Sequence, residues 1–92
     1  MIISFKSKAL AAYYHHGDGS KLNAQLLERI GLMLGRLDLA RNPEDMNRPD
    51  YGLHPLKGKL KDFYAIKVNK NYRIIFRFID EDVGDVDYLD YH

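Results

Sequence analysis

Residues 72–79 read YRIIFRFI, and this stretch carries the clearest strand pattern in the chain. Successive side chains of a strand point to opposite faces of the sheet. One set of alternate residues is apolar, and the other includes two arginines; the sets are Ile74, Phe76 and Phe78, and Arg73, Ile75 and Arg77. The pattern therefore predicts a strand with one face in the core and a cationic opposite face.

Three further strands are predicted in the same half of the chain, at residues 52–56, 63–68 and 86–91. Short loops separate them, which favours antiparallel hairpins. Alternation in the strand at 63–68 assigns Tyr64, Ile66 and Val68 to the core face, and Phe63, Ala65 and Lys67 to the side of the arginines.

The N-terminal half has the pattern of helices. Residues 2–5 predict a short strand, and residues 6–16 predict a helix that ends at the turn of residues 17–19, GDG. Ser20 is the predicted N-cap of a second helix. Its apolar residues recur every three or four positions; they are Leu22, Leu26, Ile30, Met33 and Leu37. A further helical turn is predicted after Asn42, with Pro43 at its first position.

Together these elements predict an α+β fold, with an N-terminal strand and a two-helix hairpin packed on a twisted, mainly antiparallel sheet. The 92 residues provide one modest core, so residues 1–92 are expected to form a single domain. There is no cysteine, which excludes disulfides and thiolate zinc sites. No apolar stretch approaches the length of a membrane span, so we expect a cytoplasmic protein without membrane association.

Charge is segregated along the chain, although the net charge is only +1. Residues 51–77 hold seven Lys or Arg and one Asp, whereas residues 78–92 hold six Asp or Glu and no Lys or Arg. Two interpretations remain open. The segregation either marks a solvated strand face paired with an acidic neighbour or an anion site, for instance for phosphate.

The histidines lack the spacing of metal ligands. His15 and His16 are adjacent and splay apart on a helix, His54 precedes a proline, and His92 ends the sequence. Glycine-rich phosphate-binding motifs are also absent from the sequence. No metal and no cofactor are therefore expected.

Histidine, lysine, arginine, tyrosine and carboxylate are the residue types that RNA cleavage without a metal requires. In RNA the 2′-hydroxyl can attack the neighbouring phosphate, which needs a base, an acid for the leaving oxygen and cations for the developing charge. Arginine is better shaped than lysine to hold two phosphate oxygens, and tyrosine can stack on an unpaired base. Each residue alone is weak evidence, and only their joint occurrence indicates this chemistry.

Four motifs resemble the HigB toxins of the RelE superfamily. They are SFK at residues 4–6, LHPLKG at 53–58, NYRI at 71–74 with Phe76 and Phe78, and YLDYH at 88–92. The resemblance implies a RelE-like, microbial-RNase-like fold and a ribosome-dependent mRNA interferase that cuts messenger RNA in the 30S A site. It also implies a cognate HigA-like helix-turn-helix antitoxin, with operator DNA bound only through the toxin–antitoxin complex.

The resemblance also implies a catalytic set, which is His54, Lys57, Arg73, Asp90, Tyr91 and His92. Within it, Lys57 and Arg73 are predicted to stabilise the transition state, and His92 or Asp90 to transfer protons. Tyr91 is predicted to stack or position the substrate, and His54 to transfer a proton or orient a group. Strand alternation and charge add a predicted RNA-binding set, which is Lys59, Lys61, Lys67 and Arg77.

Tyr72 and Tyr64 stand where many relatives have tryptophan, so both positions stay aromatic. Two alternatives come from other functional classes. One is a non-catalytic module that binds RNA or protein through the same basic face, and the other is a structural subunit with an incidental C-terminal sequence.

Overall fold

The computed structural model describes residues 1–91, so His92 lies outside the described residues. Within these 91 residues, two helices precede a four-stranded antiparallel sheet of order β1-β2-β3-β4. The helices are α1 (Lys8–His16) and α2 (Leu27–Leu39), and the strands are β1 (His54–Pro55), β2 (Tyr64–Lys67), β3 (Tyr72–Ile79) and β4 (Asp82–Asp90). Short 3-10 turns lie at Ala24–Leu26, Pro43–Met46 and Gly58–Leu60. The predicted α+β class is confirmed.

The main core lies between the two helices and one face of the sheet. Residues from both layers are completely buried there, including Leu10, Ile30, Met33, Ile74 and Phe76. The apolar face predicted from alternation in residues 72–79 is therefore correct. Burying such side chains contributes roughly 1.5–3 kcal/mol each, which makes this layer the main source of stability.

The N-terminal segment runs beside β4 and pairs with it only at single points. Ile2 pairs with Val83 and Phe5 with Val86, both in parallel orientation. A carboxylate oxygen of Asp38 in α2 accepts hydrogen bonds from the backbone N–H of Ile2 at 2.9 Å and from the Tyr14 hydroxyl at 2.7 Å. The strand predicted at residues 2–5 is thus present as two isolated bridges that α2 helps to hold.

The two predicted helix starts need correction. Ser7 caps α1, because its hydroxyl accepts from the backbone N–H of Leu10, so the helix begins at Lys8. Ser20 does not cap the second helix. Asn23 caps a 3-10 turn through its side-chain oxygen, and α2 follows at Leu27. Both asparagine and serine suit an N-cap, and the sequence offered the two within four positions.

The strand predicted at residues 86–91 begins earlier, as β4 starts at Asp82. Asp80 and Glu81 form a two-residue turn, with Asp80 at φ 57°. Asp85 and Val86 then lie opposite the single residue Phe76, which is a β-bulge, and Asp85 has φ 52°. Aspartate tolerates this left-handed conformation better than most residues. Asp80 and Asp85, whose sequence context is typical of a loop, therefore form a tight turn and a bulge within one β-hairpin.

The other strand predictions are close to the structure. The predicted strand at 72–79 is confirmed at both ends, and β2 is shorter than predicted by one residue at each end. The strand predicted at 52–56 is reduced to His54–Pro55 at the sheet edge, where Pro55 lacks a backbone N–H donor. The helical turn predicted at Pro43, with Asn42 as its cap, is confirmed. No helix within residues 1–91 has the length and apolar character needed to cross a bilayer.

Candidate functional site

The sheet face that points away from the helices is called here the open face. Directly paired residues of neighbouring strands share a face, so the strand register defines it. One row across the sheet is His54, Ala65, Ile75 and Asp87, and the next row is Lys67, Arg73 and Leu89. The register therefore brings His54, Lys67 and Arg73 to the same face, as alternation predicted for the last two.

The open face is only partly open. Phe63, Ala65 and Ile75 form a second, smaller apolar cluster on this side of the sheet. Leucines from the 3-10 turn and its flanks, and from β4, pack against it; they are Leu56, Leu60 and Leu89. Phe63, Ala65 and Ile75 are on the face that alternation predicted for them, but this side is not fully open, because leucines pack over them between the charged residues.

Arg73 is held by neutral groups. Its Nη1 atom donates to the carbonyl oxygen of Asn69 at 2.6 Å and to that of Tyr72 at 3.1 Å. The guanidinium carbon lies 5.0 Å from the centre of the Tyr91 ring. Among residues 1–91 no carboxylate forms an ion pair with Arg73. Its position is thus fixed while its positive charge stays uncompensated within that range.

Tyr91 continues the open face beyond β4. Its backbone N–H donates to the carbonyl oxygen of Asn71 at 2.6 Å, and its side chain is about half exposed. An aromatic ring that contacts a cation and is about half exposed is suited to stack on a base. Tyr91 and Arg73 are therefore brought together as the sequence predicted, while the predicted site residue His92 lies outside the described residues.

Asp90 lies on the opposite side of the sheet from Arg73. It pairs with Tyr72 across β3 and β4, and Tyr72 belongs to the core face. The rings of Tyr72 and Tyr88 stack on this side, with centres 5.0 Å apart and planes 8° apart. Asp90 is thus near the same strand end as Arg73, but the strand register does not place it on the open face.

Tyr88 is a poor candidate for proton transfer. Burial, and then the neighbouring Tyr72 and Asp90, raise the pKa of its hydroxyl to about 12. Within residues 1–91 this hydroxyl has no hydrogen-bond partner. Tyr88 therefore remains protonated at neutral pH. The effect of Asp90 on Tyr88 also agrees with the strand register, which places both residues on the core side of the sheet.

His54 lies exposed in β1 with its Nδ1 atom 2.9 Å from the carbonyl oxygen of Gly52. A carbonyl oxygen only accepts, so this contact places a proton on Nδ1. In the neutral ring the lone pair is then on Nε2, which is the nitrogen available to take a proton from a ligand. His54 and Arg73 are two strands apart and in neighbouring rows, which corresponds to about 12 Å between their backbones.

Lys57, Lys59 and Lys61 lie around the 3-10 turn of Gly58–Leu60 and are all exposed. None of the three forms an ion pair within the part of the chain that the structure describes. Lys57 directly precedes the turn, which follows β1, the edge strand that carries His54. The three lysines form a cationic border next to this edge.

Arg77 differs from Arg73 in its environment. Its Nε atom donates to a carboxylate oxygen of Asp85 at 2.7 Å, and Asp85 is fixed by the bulge and by the Ser4 hydroxyl, which accepts from its backbone N–H at 2.8 Å. Arg77 is therefore on the predicted face with its charge already compensated.

Lys6 is a cation of this face that the predicted site did not include. Its Nζ atom lies 5.4 Å from the centre of the Phe63 ring, next to the smaller apolar cluster. The sequence signal for Lys6 is its position directly after the short strand predicted at residues 2–5.

A metal site is not seen in the described part of the chain. Residues 1–91 contain no group of three or more histidine or acidic side chains arranged to bind an ion.

The fold itself is that of known bacterial toxins. The solved YoeB–YefM complex from Staphylococcus aureus contains a chain that superposes with a TM-score of 0.65 at 21% identity, covering 100% of this chain and 95% of that one. At this identity the likeness establishes the fold class, a YoeB/RelE-like toxin fold.

Sequence comparisons identify the family. The sequence model described as the RelE-like toxin of the type II toxin–antitoxin system HigB matches residues 3–92. Endoribonuclease HigB of Proteus vulgaris is 41% identical over 92 residues and is covered completely, as is this chain. Toxin HigB-1 of Vibrio cholerae serotype O1 is 34% identical over 94 residues, which cover 100% of this chain and 98% of that protein. The chain belongs to the HigB-like toxin family.

Proposed function

We propose that the protein is an endoribonuclease toxin that cleaves messenger RNA in the ribosomal A site, with residues 1–92 acting as a single toxin domain. The observation that carries this proposal is the guanidinium of Arg73, fixed by two carbonyl oxygens and the Tyr91 ring and left without a counter-charge among residues 1–91. A preorganised cation of this kind stabilises the charge that develops on a phosphate during cleavage. Membership of the HigB-like family and the name of the Proteus vulgaris relative support it.

The reaction is attack of a 2′-hydroxyl on the adjacent phosphate, with loss of the 5′-oxygen and without a metal. Arg73 and Lys57 neutralise the phosphate, and Tyr91 stacks on a base near the cleaved bond. Nε2 of His54 is one proton-transfer group, since its neighbour Gly52 fixes the tautomer. His92 or Asp90 is the second. Asp90, which the strand register places on the opposite side of the sheet from Arg73, acts only by reaching the substrate around the end of β4. Lys59, Lys61 and Lys67 hold the flanking backbone of the RNA, and Arg77 does so only if it leaves Asp85.

The proposed partners are mRNA on the small ribosomal subunit and a HigA-like helix-turn-helix antitoxin. The Staphylococcus aureus protein YoeB, a toxin of this fold, forms a complex with YefM. Operator DNA is bound only through the antitoxin complex, and the toxin acts in the cytoplasm, where its substrate is translated.

The experiment that tests the mechanism uses purified ribosomes carrying an mRNA with a defined A-site codon. Wild type is expected to cut this mRNA and leave a 2′,3′-cyclic phosphate or a 3′-phosphate. An mRNA with a 2′-deoxynucleotide on the 5′ side of the cleaved bond is expected to resist cleavage, because the nucleophile is missing. Equal cleavage of the two mRNAs would contradict the mechanism. Binding with intact RNA ends would support a non-catalytic binding module instead.

A further inference from the structure

The loop between β2 and β3 contacts both residues on which the proposed site depends. The Asn69 carbonyl accepts from the Arg73 guanidinium at 2.6 Å, and the Asn71 carbonyl accepts from the Tyr91 backbone N–H at 2.6 Å. A shift of this loop would therefore move the cation and the aromatic ring together. What fixes the loop also fixes the geometry of the site.

The side chain of Asn69 closes this loop from within. Its Oδ1 atom accepts from the backbone N–H of Asn71 at 3.0 Å and from that of Tyr72 at 2.8 Å. Asparagine is favoured in such turns because its short side chain reaches backbone donors two and three residues ahead. These two bonds join the residue whose carbonyl contacts Arg73 to the backbone on the far side of the loop.

The start of the loop is anchored from the helical layer. Arg29 in α2 donates through Nε to the Val68 carbonyl at 2.7 Å and through Nη2 to the Lys67 carbonyl at 2.8 Å. Asp50 holds Arg29 in turn, with a carboxylate oxygen 2.8 Å from Nη1. The backbone before Asn69 is thus held by Arg29. The backbone after Asn69 is held by its side chain together with main-chain bonds, in which the N–H of Val68 donates to the Tyr72 carbonyl at 3.0 Å and that of Tyr91 to the Asn71 carbonyl.

We infer that Asn69 is a positioning residue for RNA cleavage, which acts by aiming its own carbonyl at Arg73 and by holding the loop that carries the Tyr91 contact. This inference rests on the proposed function of the open face. A group that orients a transition-state cation affects the rate strongly even without touching the substrate, since misplacement by about 1 Å can cost about 100-fold.

The chain offers a matched control at Asn71. Its backbone N–H and carbonyl take part in the loop, but its side chain makes no hydrogen bond within residues 1–91. Asn71→Ala removes the same amide group two residues away and leaves every described bond of the loop in place. Asn69→Ser returns an acceptor at position 69 without adding a charge.

The first measurement concerns Arg73 itself and needs no substrate. In purified protein labelled with ¹⁵N-arginine, NMR is expected to show slow rotation about the Cζ–Nη bonds of Arg73 in wild type and Asn71→Ala, and faster rotation in Asn69→Ala. An Arg73→Ala sample assigns the signals. Unchanged rotation in a folded Asn69→Ala variant would overturn the inference whether or not the protein cleaves RNA.

The second measurement is cleavage of mRNA on saturating ribosomes. Asn69→Ala is expected to lower the maximal rate by roughly 10- to 100-fold, with Asn71→Ala near wild type and Asn69→Ser recovering most of the rate. Added to Arg73→Ala, Asn69→Ala is expected to lower the rate by less than it does alone, because its effect through Arg73 is already lost and only its effect through the Tyr91 contact remains. Equal losses in Asn69→Ala and Asn71→Ala, or a double variant with multiplied losses, would overturn the inference. If wild type leaves RNA intact while the NMR result holds, the proposed function fails and the positioning of Arg73 stands.

Discussion

Arg73 and Arg77 lie on the same strand and the same face, yet their environments are opposite. Arg73 is held by two carbonyl oxygens and an aromatic ring, whereas Arg77 is paired with the carboxylate of Asp85. A carbonyl fixes a guanidinium without cancelling its charge, and a carboxylate cancels it. The availability of a cation therefore depends on its partners more than on its place in a strand pattern.

The largest expected difference is in the rate of cleavage. Arg73→Ala is expected to lower the rate of ribosome-dependent mRNA cleavage by about 100- to 1000-fold, because it removes a fixed cation from the transition state. Arg77→Ala is expected to change it by less than about fivefold, since a partly exposed ion pair contributes little. Quenched-flow cleavage assays on programmed ribosomes measure both. Equal losses in the two variants would remove the distinction between the arginines.

Variants of Tyr91 test whether its aromatic ring, which contacts Arg73, contributes to the rate of cleavage. Tyr91→Ala is expected to weaken cleavage about tenfold, because it removes a stacking surface and the ring beside the guanidinium. Tyr91→Phe keeps the ring and is expected to stay close to wild type. The same cleavage assay compares them. A large loss in Tyr91→Phe would instead assign the function to the hydroxyl.

A variant of Lys67 tests whether this cation, which lies next to Arg73, contacts the RNA backbone. It is exposed and pairs directly with Arg73 across β2 and β3. Lys67→Ala is expected to reduce the salt dependence of ribosome binding by about one unit of log–log slope, as loss of one phosphate contact does. Lys21→Ala, a change far along the chain in the loop before α2, is the control. Binding titrations at several salt concentrations give the slopes, and identical slopes in wild type and Lys67→Ala would place Lys67 outside the RNA path.

The smallest expected effect comes from releasing Arg77. Asp85→Asn removes the counter-charge and suits the φ of 52° at this position, because asparagine tolerates the left-handed region. Ribosome binding is expected to become modestly tighter and its salt dependence steeper by up to about one unit. The double variant with Asp85→Asn and Arg77→Ala, titrated in the same way, is expected to show no such gain. Weaker binding by Asp85→Asn in a folded protein would contradict the role assigned to the carboxylate.

The sequence predicted those parts of the fold that depend on local alternation. Residues 72–79 carry their own pattern, so β3 and its buried face were predicted correctly. The beginning of β4 was missed, because Asp82 and Asp85 resemble loop residues unless the turn at Asp80 and the bulge are known. The start of α2 was misplaced for a similar reason, since Ser20 and Asn23 are both good caps and tertiary packing decides between them.

The sequence predicts which residues belong to the candidate site better than it predicts how they are arranged. Alternation placed Arg73 and Arg77 together, but the ion pair with Asp85 depends on a bulge that no pattern in the sequence reveals. The side on which Asp90 lies depends on the register of β4 against Tyr72. No sequence pattern indicates a role for Asn69, because its side chain bonds to the backbone and a single asparagine in a loop has many ordinary explanations.

The role of Arg73 in living cells can be tested by mapping new 5′ ends across the transcriptome of a bacterial host that produces the protein without an antitoxin. Wild type and Arg77→Ala are expected to arrest growth and create internal cuts in frame with translated codons. Arg73→Ala, produced at the same soluble level, is expected to allow growth without such cuts. Equal cutting by wild type and Arg73→Ala, or no cuts from soluble wild type, would contradict the claim that translated mRNA is cleaved at the open face with Arg73 as the decisive cation.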